Sequence, residues 1–426
     1  MGIIAGVPIE MVIFSGCRCK PSPLPYIIAS RAAAAMCANN PLSKATDRPL
    51  GASGVAKAKQ RHILHVFPSF GIGGMPLRMA RIINALGSSF RHSIISLDGA
   101  VGAAETVSRD IAHEIACLAL PKSSVLKALL LCRAELRRRQ PDILVSYNWG
   151  SIEWAMSNRL FTGIRHIHHE AGFGKEEISR QLPRRVRFRR WALGRTQRVV
   201  VPSRSLERIA LEEWRLPRSK VVYVPNGIDV ERFAALPGEG DLLISSERPQ
   251  VIGSLAPLRP EKNVGRLLDA FSQASTSANI ELVVAGDGGE RKALEQAARL
   301  LGIAERVTFL GEVACPERLL RRIDILALSS DTEQMPNAVL EAMASGLPVA
   351  AVDVGDVAIM VAPENRPYIV PRGDTSGLAG ALVRLAKAPA LRTRIGQANR
   401  TRVREVYSQE RMVSRWREIF TDAAGT

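Results

Sequence analysis

From His62 onward the chain alternates short apolar runs with amphipathic stretches. "HILHVF" (62–67), "HSIISL" (92–97), "DILVSYNWG" (142–150), "IRHIHH" (164–169), "RVVVPS" (198–203) and "KVVYVPNGID" (220–229) predict strands, with helices at 75–87 and 124–140. Apolar strands of this length separated by helices of about 10–15 residues indicate parallel sheets covered on both faces. A polar, Pro- and Gly-bearing break at 233–250 then interrupts the rhythm, as a boundary between domains does. The alternation restarts with strands at 251–256, 280–286, 306–311 and 324–330 and helices over 263–274 and 289–301. The fold class is therefore α/β, with two Rossmann-like lobes, and ligands belong beyond the C-terminal strand edges where such lobes face one another. The last helix, 409–423, carries Met412, Val413, Trp416 and Ile419 or Phe420 at helical spacing, an ordinary packing stripe.

The first 60 residues lack this rhythm. Arg31 interrupts their Ala-rich part, so the apolar core of a signal peptide is missing and an atypical or loosely ordered extension is expected; a peripheral membrane anchor is the competing reading. No run reaches the length of a membrane-spanning helix. The six cysteines are scattered, which suits reduced thiols of a cytosolic protein, and the Cys17-Arg18-Cys19 pair has no second half-site for zinc. Lys plus Arg number 58 against 41 Asp plus Glu, a net charge of +17 that favours an anionic partner without choosing it.

Candidate chemistry concentrates in "DTEQMPNAVLEAMASGLPVAA" (331–351). Pro336 suits the first turn of a helix, which leaves Asn337, Ala338 and Val339 to offer backbone N–H groups at its mouth, a seat for phosphate. Glu341 stands about one turn further on nearly the same face and Glu333 precedes the helix. Two carboxylates beside an anion seat match sugar hydroxyls better than the phosphate itself; as bland helix-end charges they would contribute only about 0.3–1 kcal/mol. In "SLAPLRPEKNVGRLLDAF" (254–271) Arg259 and Lys262 follow a strand, within reach of a diphosphate, and Asn263 suits a helix cap. "VVAGDGGERKAL" (283–294) adds Gly286, Gly288 and Gly289, where a base or ribose would approach backbone, although such glycines often serve only positive φ.

In the first half, "FPSFGIGGMPLRMA" (67–80) lacks the G-x-G-x-x-G spacing of dinucleotide oxidoreductases, and Gly73 and Gly74 are better matched to a diphosphate from the opposite side. On the strand at 164–169, alternation places His166 and His168 on one side and His169 on the other. One histidine positioning a substrate hydroxyl, packed neutral histidines, and a zinc site wanting a third ligand are the alternatives.

"EQMPNAVLEAMASGLPVAA", "VPNGID" (224–229), "PEKN" (260–263), "AGDGGER" (285–291) and "GGM" (73–75) stand in the order of the landmarks of the retaining GT-B glycosyltransferases of family 4, which this chain resembles from about His62 to Arg417. The resemblance implies a GT-B fold, two lobes facing across a deep cleft, and transfer of a sugar from a nucleotide-diphosphate donor with retention and without a required metal or other cofactor. It divides the chain into an acceptor-side lobe (61–232), a nucleotide-sugar lobe (233–408) and a terminal helix (409–426) that crosses back to the first lobe with Trp416 at a junction. By the same match Glu341 would hold the ribose, Glu333 the donor sugar and Lys262 the diphosphate, with Gly74 approaching from the acceptor lobe and His168 or His169 near the donor sugar. One departure stands out: the family usually has arginine where this chain has Pro257, so that either Arg259 fills the same space or the phosphate leans more heavily on Lys262 and the helix mouth.

"RQLPRRVRFRRWALGRTQR" (180–198) holds eight arginines, no acid, and the aromatics Phe188 and Trp191. The expectation is peripheral docking to an anionic membrane, bringing the cleft to a glycan or lipid-linked acceptor at the inner face of the cell membrane. A solvated helix and nucleic-acid binding are the alternatives, the latter without any dedicated reader motif. UDP- and GDP-linked donors both stay open, as does oligomeric state. Competing functions are a nucleotide-sugar hydrolase or epimerase, a phosphorylase, or a catalytically silent scaffold.

Overall fold

The computed structural model describes residues 60–111, 113–173, 177, 181–234 and 248–425. The expectations for residues 1–59, including the Cys17–Cys19 pair, and for the centre of the break at 235–247 lie outside the described residues.

Two all-parallel sheets form. The first orders its strands β3-β2-β1-β4-β5-β6-β7, with β1 Arg61–Phe67, β2 Phe90–Ser96, β3 His113–Cys117, β4 Ile143–Tyr147, β5 Arg165–His169, β6 Arg198–Val201 and β7 Val221–Tyr223. The second runs β10-β9-β8-β11-β12-β13, with β8 Gln250–Leu255, β9 Ile280–Ala285, β10 Val307–Gly311, β11 Ile325–Leu328, β12 Val349–Val352 and β13 Ile369–Val370. In each sheet the order in which strands are added thus reverses beside the first strand, between β1 and β4 and between β8 and β11. That reversal opens a crevice at the strand ends in each lobe.

Local chemistry sets the helix starts. Ser124, Ser203, Asn263 and Ser408 each accept a hydrogen bond from the backbone N–H three residues on, which satisfies a donor the helix itself cannot. The helix Gln409–Ala424 buries Met412, Trp416, Ile419 and Phe420 in the core of the first lobe, among Ile63, Phe67 and Ile83. Trp416 meets His169 edge-on at 5.3 Å, inside that lobe rather than at a junction. Burial of each large side chain contributes about 1.5–3 kcal/mol, enough to fix this helix across the first sheet although its chain arrives from the second lobe.

Candidate functional site

The loops leaving β1, β4, β8 and β11 face one another, as the two crevices require. They enclose a cavity of about 870 Å³ whose wall includes Gly74, Asn148, Pro257, Lys262, Glu333 and Asn337. Both lobes therefore contribute to one site.

On the second-lobe wall the β8 and β11 loops are stitched together. Lys262 Nζ lies 2.6 Å from Glu333 Oε1, and the Ser330 hydroxyl donates to the same oxygen at 2.8 Å. Behind this pair, Asp331 accepts from Asn263 at 3.0 Å and from Arg266 at 2.7 Å, while Arg266 also donates to the Ser329 carbonyl. Asp331 and Arg266 escape a search for catalytic motifs because their work is to hold the two loops. Only the spacing of Asn263 and Arg266 within one helical turn hints at it.

The helix Asn337–Ala344 opens toward the cavity, with Pro336, Asn337 and Ala338 on its wall. Two details differ from the sequence reading. Pro336 has extended ψ of 124° and stands before the helix rather than in its first turn. Val339 is fully buried and its N–H donates to the Pro336 carbonyl at 3.2 Å, so the mouth offers Asn337 and Ala338 but not Val339. The mouth is fixed from the other lobe: Asn226 Nδ2 donates to the Met335 carbonyl at 2.9 Å and to Asn337 Oδ1 at 3.3 Å.

The first-lobe wall begins with Gly74, where a Cβ would stand 3.3 Å from Asn337 Nδ2. The helix Gly74–Leu86 and the helix Asn337–Ala344 therefore meet mouth to mouth. One turn on from Gly74, Arg78 also lines the cavity. It is only 9% exposed, its Nη1 has no hydrogen-bond partner among the described residues, and burial pulls its guanidinium down to about 10. Sequence reasoning missed Arg78; its only signal was the four-residue spacing from Gly74, which puts both on one helix face.

Several predicted site residues are not on this wall. Arg259 is exposed and lies away from the cavity, whose lining at that loop is Pro257 and Lys262, so Arg259 does not fill the space Pro257 leaves. Gly286 and Gly288 pack against the same loop instead of approaching a ligand. A Cβ on Gly286 would stand 1.9 Å from the Ala256 carbonyl oxygen, and one on Gly288 would stand 2.3 Å from that of Leu258. Gly73 precedes its helix with extended backbone and does not line the cavity. Glu341 is half-buried beyond the wall; burial raises its carboxyl, against the pull of Arg232 and Arg81.

The histidines are packed. His166 and His168 both bond the Ser146 hydroxyl, at 2.7 and 2.8 Å, and His168 Nε2 lies 3.6 Å from the buried Glu170. On the other side of the strand, His169 Nδ1 bonds the Val200 carbonyl. His168 and His169 are at most 2% exposed, and neither reaches the cavity wall; burial takes both His166 and His169 down to about 3. Among the described residues no three His, Cys, Asp or Glu converge as metal ligands.

The arginine strip divides in two. Arg189 is fully buried, paired at 2.9 Å with Glu177, and stacked on Trp149, Phe173 and Trp214. Arg185 lines the cavity and reaches Glu177 at 3.2 Å. The opposite face of the helix Pro183–Leu193 leaves Arg184, Arg187, Phe188 and Trp191 exposed.

Two Rossmann-ordered sheets enclosing one cleft between their switch points define the GT-B architecture. Residues 72–232 match the family described as Glycosyltransferase Family 4 and residues 243–402 match Glycosyl transferases group 1. The chain belongs to this glycosyltransferase family. Among its relatives, N-acetyl-alpha-D-glucosaminyl L-malate synthase of Bacillus anthracis is 30% identical over 177 residues, 42% of this chain and 46% of that protein. The 2-deoxystreptamine glucosyltransferase of Streptomyces kanamyceticus is 26% identical over 282 residues, 62% of this chain and 73% of its own length. The match thus spans under half of the first relative. The fold matches that of Anabaena HepE in complex with UDP-glucose, with a TM-score of 0.71 and 18% identity, covering 85% of this chain and 99% of that one. The glycosyltransferase of Rickettsia africae gives a TM-score of 0.71 and 17% identity, covering 86% and 99%.

Proposed function

We propose that this chain transfers a sugar, with retention of configuration, from a nucleotide-diphosphate donor to a hydroxyl acceptor. The observation that carries this reading is the Lys262–Glu333 pair beside the mouth of the helix Asn337–Ala344: a cation and free N–H groups for a diphosphate, and a fixed carboxylate for sugar hydroxyls, in one cavity. Departure of the diphosphate places negative charge where Lys262 and the amides of Asn337 and Ala338 stabilise it, without reorganisation at the moment of reaction. The acceptor hydroxyl attacks from the side the diphosphate leaves, and the leaving phosphate oxygen takes its proton. Glu341 holds the ribose on this reading, reached by the nucleoside as it extends along the helix from its mouth.

A panel of UDP- and GDP-linked sugars, assayed with and without glycan and lipid-linked acceptors, tests the proposal. Nucleotide release that depends on an acceptor is expected. Release without acceptor would make the enzyme a hydrolase, and no release from any donor would leave the silent-scaffold reading.

The acceptor we favour is lipid-linked or a polysaccharide precursor, met at the inner face of the membrane from the cytoplasm. The exposed Arg184, Arg187, Phe188 and Trp191 recur at helical spacing on one face, with Arg159 stacked on Trp191 at 4.8 Å. Val125, Leu126 and Leu130 are exposed on the helix Val125–Arg139, whose Arg133 stacks on Phe161, so basic and apolar side chains share this side of the lobe. Apolar side chains among arginines suit the headgroup region of an anionic bilayer. Among the described residues no helix is long and apolar enough to cross a membrane. Reversing Arg184 and Arg187 to glutamate should abolish salt-sensitive binding to phosphatidylglycerol vesicles; unchanged vesicle binding, or a preference for nucleic acid, would refute the docking role.

A further inference from the structure

Arg78 is a cation of the cleft that the proposed reaction has not used. It sits in the first-lobe wall, nine-tenths buried, with Nη1 unpartnered among the described residues. No carboxylate pairs with it among the described residues, whereas Lys262 is paired with Glu333 and Arg185 with Glu177. A buried cation without a counter-ion is costly unless a ligand brings one.

Position identifies that ligand. Arg78 lies one turn from Gly74 on a helix whose mouth abuts the mouth of the helix Asn337–Ala344, and long helical side chains lean back toward their own N-terminus. Its guanidinium thus shares the cavity with two sets of helix-terminal N–H groups and with Lys262. On the facing wall, Pro257 has neither side-chain donor nor backbone N–H, and Arg259 does not line the cavity. Among the described residues the second lobe lines the cavity with one cation, Lys262, already engaged by Glu333, for a group that carries at least two negative charges.

We infer that Arg78 binds the diphosphate of the nucleotide donor from the opposite lobe, sharing with Lys262 the charge that accumulates on the leaving group. The inference rests on the nucleotide-sugar reading of the same cleft. It has a consequence for closure: a diphosphate gripped by Lys262 from one lobe and by Arg78 from the other ties the lobes together only while it is bound.

Calorimetric titration of the full chain with UDP, GDP, UMP and GMP, together with thermal melting, tests this with Arg78→Met and Arg78→Lys. For the base that binds, Arg78→Met should weaken the nucleoside diphosphate at least tenfold and leave the monophosphate within about twofold, with Arg78→Lys intermediate. The ligand-free melting temperature of Arg78→Met should equal or exceed that of the parent, because an unpaired buried charge has been removed. A structural arginine would give the opposite: a lower ligand-free melting temperature and equal losses for both nucleotides. If the parent binds a diphosphate and Arg78→Met binds it as tightly, the assignment fails alone, and an anion on the acceptor becomes the better partner. If the parent binds no nucleotide, the reading of the cleft fails and this assignment falls with it.

Discussion

Replacing Glu333 with glutamine separates the two tasks assigned to the second-lobe wall, because it removes a charge while keeping the shape. In the ligand-free cleft Lys262 Nζ is 2.6 Å from Glu333 Oε1, with the two side chains 20% and 13% exposed. Unit charges at that distance attract by about 1.6 kcal/mol at the dielectric of water and about 6 kcal/mol at an effective value near 20. Any diphosphate that takes Lys262 must compete with this attraction and must also tolerate the carboxylate beside it. Desolvation and the Ser330 bond to the same oxygen reduce the difference that survives, so a gain of about 1 kcal/mol, roughly fivefold tighter binding of UDP or GDP, is expected for Glu333→Gln. The sugar should suffer oppositely. If the carboxylate holds donor hydroxyls, the variant loses charge-assisted hydrogen bonds of about 1.5–3 kcal/mol, and turnover should fall by at least tenfold. Calorimetry with the free nucleotide and a coupled assay of nucleotide release measure both on one preparation. Weaker nucleotide binding in Glu333→Gln, or undiminished transfer, would refute the division of labour.

Three further outcomes follow from the geometry. Gly286→Ala places a Cβ 1.9 Å from the Ala256 carbonyl at a φ of 137°, so it should cost about 2–4 kcal/mol of stability by denaturant unfolding and weaken nucleotide binding through displacement of the Lys262 loop. Asp356, 1% exposed, accepts from the N–H groups of Arg204 and Ser205 across the lobes at 2.6 and 3.0 Å; Asp356→Ala should lower stability by about 1–3 kcal/mol and enlarge the radius of gyration measured by small-angle scattering. Glu341 is held above the ordinary carboxylate value by burial, so the folded state binds its proton more tightly than the unfolded state and loses stability as pH rises from the unfolded value near 4.5 through the folded one. Glu341→Gln should therefore be more stable than the parent at neutral pH, with the advantage gone at pH 4; an equal advantage at both pH values would show that burial of charge is not the cause.

The strands and the second-lobe loops were legible because periodicity and short motifs are local. Lys262, Glu333, Asn337 and Ala338 lie within one or two loops of a strand end, and the strand order then brings them together. Glu341 and the histidines show the limit. A strand end locates a residue along the chain, but whether it faces the cavity or the core depends on what packs above it, and for His169 that is Trp416, nearly 250 positions away. Arg189 carries the same lesson for the basic strip. In sequence it is one arginine among eight, yet the fold surrounds it with Trp149, Phe173 and Trp214 and pairs it with Glu177. Arg78 was illegible for the complementary reason: it has no motif, and its interest lies in lacking a partner.

The "VPNGID" segment shows why so short a stretch matters to a two-lobed protein. The chain passes between lobes here and again at 407–409, and the two crossings are paired: Ile228 N–H donates to the Tyr407 carbonyl and Gln409 N–H to the Ile228 carbonyl, both at 2.9 Å. Gly227 lies so close to the second crossing that a Cβ would stand 2.8 Å from the Ser408 carbonyl oxygen. Immediately before it, Asn226 holds Met335 and Asn337 at the helix mouth. The doubled crossing and the proposed phosphate seat are therefore adjacent in one segment. Rotation of the lobes about this doubled crossing must move Asn226 against the mouth it supports, while Gly74 and Arg78 move with the opposite wall. A ligand that bridges Arg78 and Lys262 would consequently be felt at the hinge through a path of only a few residues, and closure of the cleft and completion of its charge would be a single event.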